Sequence, residues 1–393
     1  MTDTFRPMRL AGDVRHGSTF VTAQVAVHSA NPATQLARAF QGVELAHVLV
    51  FATPQADFAA LMKGLSAALG PCPVVGCTSA GEIGRGGYLD DHIVAVGLPR
   101  KLYSARAVLI QDLGKTNLSH QVDRLIQNRV ALRTANRERP NGFAFLMVDG
   151  LSQREDALVS ALTPALGYTP LFGGSAGDGI NFERTYVGCD GHIYEDAATV
   201  TFVATACETQ VFSVNHMVPS KTRMVVTEAD PERRVVKEIN AEPAAQEYAR
   251  LVGKDPQQLD ELTFAAHPVM VRIGEDYHVR AIQRMNKDGD LVFFSAIDEG
   301  MVLTTAEPRD MASHLDASIE QLVKGRAKPD ILGCDCILRR IEAQKSQTQQ
   351  DIGRVLERHE IVGFSTYGEQ IGPLHVNHTL TGVAIFPKSD QVS

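Results

Sequence analysis

Three glycine-rich stretches hold the residues best placed to do chemistry: GCTSAGE (76–82), GGSAGDG (173–179) and GFSTYGE (363–369). Each follows an apolar run and carries an acid near its end: Glu82, Asp178 or Glu369. Glycines at such turns permit positive φ and close backbone approach. A phosphate loop would read G-x-x-x-x-G-K-[ST], and no lysine follows Gly81 or Gly177. A nucleophile elbow would read G-x-S-x-G; Ser79 stands at the wrong offset, whereas Ser175, two residues before Gly177, has that spacing within GGSAG. No base with an assignable partner accompanies them, so nucleotide hydrolysis and acyl transfer are set aside, and no enzyme is expected. Two readings remain. Consecutive amides could form an anion-binding nest beside Thr78, Ser79 and Ser175, with the acids facing an ammonium, which would suit a small zwitterion. Alternatively, the acids cap turns and bind nothing. On either reading Gly76, Gly81, Gly173, Gly174 and Gly177 are expected to be chiefly structural and to include positions with φ > 0.

The elements that must position these turns recur in one order. Residues 46–52 read as a buried strand, and a helix is expected from Pro54, with Phe58, Leu61, Met62, Leu65 and Leu69 on one face and Gly70 as its stop. The strand and turn of the first motif follow, then a strand at 92–98. The order repeats as strand 142–150, a helix to about Leu166 capped by Ser152 with Glu155, the second motif, and strand 197–205. It repeats again as strand 330–334, helix 346–359, the third motif, and strand 380–386. Such weak internal repetition points to duplicated architecture. Between the second and third units lies a β-rich stretch with a helix at 243–253 and a KDGD turn at 287–290. The expected fold is α/β: repeated strand–helix–strand–turn–strand units with a second, β-rich α/β domain, divided as 20–210 and 211–390.

The chain has 393 residues and a formal net charge of -8, which argues against nucleic acid as a partner. No apolar run approaches a bilayer span, and the N-terminus lacks the apolar core of a signal peptide, so no membrane association and a cytoplasmic address are expected. The six cysteines then read as free thiols. Cys334 and Cys336 form a C-x-C pair, but a structural zinc needs four ligands and no second pair lies nearby.

With the motifs placed, the chain resembles the FIST family of bacterial sensory proteins. VVGCTSAGEI and LFGGSAGDGINF carry the N-terminal signature; EINAEPAAQEYARLVG, DEGMVL and VGFSTYGEQIGPLHVNHTLTG carry the C-terminal one. The resemblance implies a ligand-binding sensory module, not an enzyme, with small molecules such as amino acids as ligands. Residues 214–253 and 264–303 are similar to the haem-containing, nitric-oxide-sensing branch, stand-alone chains that act on a separate histidine kinase or cyclic-di-GMP enzyme. That narrower likeness implies non-covalent haem b and a diatomic gas ligand; no C-x-x-C-H for covalent attachment is present. A haem needs an axial side chain and cations for its propionates. His216, at the junction of the two halves, is the expected iron ligand, with His267 next. His278 and His375 are further candidates, and Arg223, Arg272 and Arg280 could pair with propionates. On a strand His375 and Asn377 share a face, whereas His378 points away. Cys334 and Cys336 keep a minor claim as thiolate ligands or redox sensors. A haem-free sensor of a small ligand such as an amino acid is the alternative.

Overall fold

A computed structural model describes residues 13–16 and 19–388. The three sequence repeats are three structural units, each built on its own sheet. In the first, strand Leu45–Ala52 lies parallel to Val74–Thr78 and antiparallel to His92–Pro99. In the second, Asn141–Val148 pairs in the same way with Leu171–Ser175 and Ala198–Thr205. In the third, Asp330–Cys336 pairs with Ile361–Thr366 and Thr379–Phe386. A strand that precedes each unit, or opens it, adds to its last strand: Val21–Ala26, Tyr103–Ile110 and Glu208–Asn215.

The units are interlocked by exchange. After its glycine motif each unit sends out a short hairpin, and the hairpin joins another unit's sheet. Glu82–Gly84, from the first unit, pairs with Ile361–Thr366 of the third. Glu369–Ile371, from the third, pairs with Leu171–Ser175 of the second. Val187–Cys189, from the second, pairs with Val74–Thr78 of the first. The circle closes, so no unit completes its sheet alone. The inner faces meet in a common core in which Phe51 stacks on Phe364 (centroids 4.4 Å apart) and meets Phe145 edge-on at 6.3 Å.

The first glycine of each motif is explained by this arrangement. Across the parallel pair, a Cβ on Gly76 would lie 2.4 Å from the carbonyl oxygen of Val50, on Gly173 2.1 Å from that of Leu146, and on Gly363 1.8 Å from that of Gly333. Three facing carbonyls therefore demand three glycines. Of the five glycines expected to include φ > 0 positions, only Gly81 has one, at φ 123°. The others serve close approach.

Residues 217–308, between the opening strand of the third unit and the rest of it, form an eight-stranded sheet with two α-helices. Its helix Ala244–Val252 ends on Gly253 in the left-handed region, and Gly289 shapes the turn at 287–290 with φ 85°. The sheet has its own core around Tyr248 and Phe264. It rests on the glycine turns through a second cluster in which Met217, Met270, Ala281 and Phe294 meet Ala80, Ile337, Leu338, Ile341 and Tyr367.

Local readings shift at two helix starts. The first unit's helix is Phe58–Leu69, capped by the Asp57 side chain, so Pro54 precedes it. In the second unit Ser152 makes no capping box. Its hydroxyl donates to the Asp149 carbonyl, and Glu155 is buried against Arg234 of the inserted sheet at 2.7 Å. Helices Pro32–Ala39, Leu118–Ala135, Met311–Val323 and Ile337–Lys345 were not expected.

Candidate functional site

The three glycine turns gather at one end of the body and bond to one another. Ala80 N–H donates to Ser365 O, and Ser365 N–H to Gly81 O; Gly177 N–H donates to Thr78 O; Ser175 N–H donates to Gly368 O, and Tyr367 N–H to Ser175 O. The amides needed for an anion nest are thus occupied, and that expectation is corrected. The acids cap instead. Glu82 accepts from Ser79, Glu369 from Thr366 and Thr379, and Asp178 from Tyr367 and from the amides of Phe182, Glu183 and Arg184. Burial pushes Glu82 and Glu369 up to about 8, despite the hydroxyls beside them.

Between the turns and the inserted sheet lie two buried polar groups. The first centres on His216, fully buried between strands Glu208–Asn215 and Met217–Asp230. A hydrogen-bonded chain runs through it. Tyr88 donates to Asp335; Asp335 accepts from Arg339 Nε at 2.6 Å; Arg339 reaches His216 Nδ1 at 3.0 Å; His216 Nε2 faces both oxygens of Glu342 at 3.0 and 3.1 Å. His378, with φ 58°, adds an unbonded imidazole whose Nδ1 is 3.7 Å from Glu342. Burial pushes His216 down to about 2, with Arg339 adding to it, and His378 down to about 3. His267, half-buried at the end of helix Glu261–Ala266, lies near enough for its charge to act on Glu342.

Arg339 fixes the tautomer. A guanidinium can only donate, so Nδ1 accepts and Nε2 carries the proton it offers to Glu342. Both ring nitrogens are therefore engaged. An iron at Nε2 would need that lone pair free and Nδ1–H donated to an acceptor, where a donor stands. The same reasoning applies to a small cation held by His216, Glu342 and His378, whose ligand atoms lie within 4.8 Å of one another. As arranged, this set is a proton-linked ion network and does not fit a haem iron.

The second group centres on Gly368. His375 and Asn377 come together here, and His378 lies with the first group. His375 Nδ1 accepts from Gln370 Nε2 at 3.1 Å, and Gln370 also donates to Ser175. Asn377 Oδ1 accepts from Ser295 at 3.0 Å and from the Ala281 amide at 3.4 Å. Arg280 is buried with Nη1 on the His375 carbonyl at 3.0 Å and Asp156 at 3.6 Å. Burial lowers its pKa and that of His375.

Arg223 and Arg272 lie apart from both groups, whereas the Cys336 thiol meets the backbone of His378. Arg223 and Arg272 are exposed, the latter bonded to Gly274 and Glu275. His278 is half-buried on strand Asp276–Arg280, opposite Val271. Cys334 and Cys336 are fully buried, and burial raises both thiols well above their ordinary range, so neither offers a thiolate. Missed in the sequence were Asp335, Arg339 and Glu342. Asp335 lies in strand Asp330–Cys336 and Arg339 in the helix after it, so no spacing within a single element announced the pair.

Residues 46–242 match the FIST N domain and residues 244–372 the FIST C domain. The chain belongs to the FIST family. FIST domains are sensory signal-transduction modules rather than catalytic ones. No curated protein matches the chain. Among the described residues, no helix of this FIST protein is long and apolar enough to cross a membrane.

Proposed function

We propose that this FIST protein senses a small polar ligand held between the three-unit body and the inserted sheet, and reports it to a partner protein. The partner is a histidine kinase or a cyclic-di-GMP enzyme, on family likeness. Residues 20–210 would hold the first two units, and 211–390 the inserted sheet and nearly all of the third. One observation carries the reading. The seam is lined by buried polar atoms without partners: Arg280 Nε, His375 Nε2, Asn377 Nδ2 and Gln370 Oε1. Buried polar atoms are almost always paired, so a cluster of unpaired ones at the meeting of two layers asks for an occupant.

A ligand there touches both layers and can bias their packing, which is what a sensor without catalytic machinery needs. The haem-bound, nitric-oxide-sensing reading would require Arg339 and Glu342 to withdraw from His216 first. The experiment follows autophosphorylation of a candidate kinase while adding this protein with and without amino acids, and with haemin and nitric oxide. Coupling on the order of 1–3 kcal/mol is expected between ligand and kinase. Equal kinase activity and affinity in every state would exclude this output.

A further inference from the structure

We propose that the second unit carries a binding site for a phosphate monoester with an aromatic ring, of the nucleoside monophosphate kind, at the end of its sheet opposite the glycine turns. A cavity of about 330 Å³ opens there, beside the first residues of strands Asn141–Val148 and Leu171–Ser175. That volume lies in the range of small-molecule sites. Leu132, Phe202 and Val203 give it a buried apolar lining. Arg129 and Arg133, one turn apart on helix Leu118–Ala135, add two guanidiniums on the same helix face. None of the described residues lining the cavity is an acid, although the chain as a whole carries a net charge of -8.

Both guanidiniums are held in place by neutral groups, so their charge is left unanswered. Arg129 Nε donates to Ala165 O at 2.8 Å, and Arg133 donates through Nη1 and Nη2 to the carbonyls of Arg139, Pro140 and Asn141. Among the described residues, neither arginine forms an ion pair with a carboxylate. Capping the last carbonyls of helix Glu155–Leu166 engages only Nε of Arg129. Its Nη1 and Nη2 bond to no described residue, and Gly167 keeps them uncovered: a Cβ there would lie 2.9 Å from Nη1 and 3.3 Å from Nη2. A carboxylate would answer one of the two cations. A phosphate monoester, with about 1.5 to 2 negative charges and three acceptor oxygens, answers both. Tyr168 stands fully exposed beside them and offers an aromatic face on which a planar ring can stack. Thr209, which also lines the cavity, belongs to strand Glu208–Asn215 of the third unit, so an occupant touches two units. The site is separate from the seam and does not depend on the sensory reading.

The test uses the full chain in isothermal titration with AMP, GMP, CMP and UMP, with the matching nucleosides, inorganic phosphate and benzoate alongside. At least one monophosphate is expected to bind. Its nucleoside, inorganic phosphate and benzoate, which lack the phosphate, the ring and the second charge in turn, are each expected to bind about tenfold more weakly or worse. Arg129→Gln keeps a donor for the Ala165 carbonyl but removes the cation, and should weaken the nucleotide by about tenfold or more. Tyr168→Ala removes an exposed side chain, so the fold is kept. It should weaken the nucleotide by about tenfold and leave inorganic phosphate unchanged. A nucleotide that binds both variants as tightly as wild type would overturn the site. Failure of all four monophosphates to bind, or equal binding of benzoate or inorganic phosphate, would overturn the ligand class.

Discussion

At His216 a single proton decides what the seam can hold. Arg339 places that proton on Nε2, which makes the residue a donor toward Glu342. The sequence shows a histidine between two apolar stretches, as an axial ligand would be, but the residue that sets its tautomer is 123 positions away. His375 and Asn377 were legible as a pair because strand alternation is local; the identity of their partners was not. A pH prediction belongs at this scale. Glu82 and Glu369 titrate near 8 in the folded chain and near about 4.3 when unfolded. Between those values the folded chain holds protons the unfolded chain has released, so stability falls as pH rises. His216 and His378, held neutral, act oppositely, but their contribution is lost only below about 6.5. From about pH 6.5 to 8 the raised carboxyls therefore set the slope. Urea unfolding across this window should show stability declining in wild type, and a flatter profile in Glu82→Gln and in Glu369→Gln. Unchanged slopes in both variants would mean these carboxyls are already ionised in the native state.

At the scale of elements, two glycines make opposite predictions. Gly173→Ala would place a methyl 2.1 Å from the Leu146 carbonyl and force the parallel strands apart, costing about 1–3 kcal/mol or more. Gly353 lies in helix Gln349–Arg358 at negative φ, with no atom nearer than 3.8 Å to its missing Cβ. Gly353→Ala should stabilise by about 0.5–1 kcal/mol. Chemical denaturation of both reads the contrast, and equal effects would contradict the close-approach account. The repeated units were legible because strand, turn and helix signals are local. Helix Ile337–Lys345 was not, because Arg339 and Arg340 in ILRRIE look solvated but are buried against Asp335, His216 and Asp90. The Ser152–Glu155 spacing mimicked a cap because nothing nearby in sequence announces Arg234.

The whole molecule is held by exchange and by its seam. Which sheet a three-residue hairpin strand joins depends on chain segments far away, so the cyclic exchange was beyond any local reading. The seam is anchored by Arg234, which bonds Glu155, Asp156 and the Phe294 carbonyl. Arg234→Met would leave Glu155 buried without its cation and should cost about 3–5 kcal/mol. Adding Glu155→Gln should restore part of that, and a double variant no better than the single would remove the ion pair from the account.

While Arg339 holds the His216 tautomer, the proposed small polar ligand, and not an iron, is expected in the seam. Titrating the full chain with haemin while recording the Soret region tests it most directly, with His216→Ala alongside. The expected result is a broad, unsaturable spectrum that His216→Ala leaves unchanged. A sharp, saturable band in wild type that is shifted or lost in His216→Ala would contradict it, because the Arg339–His216–Glu342 chain would then have opened to an iron.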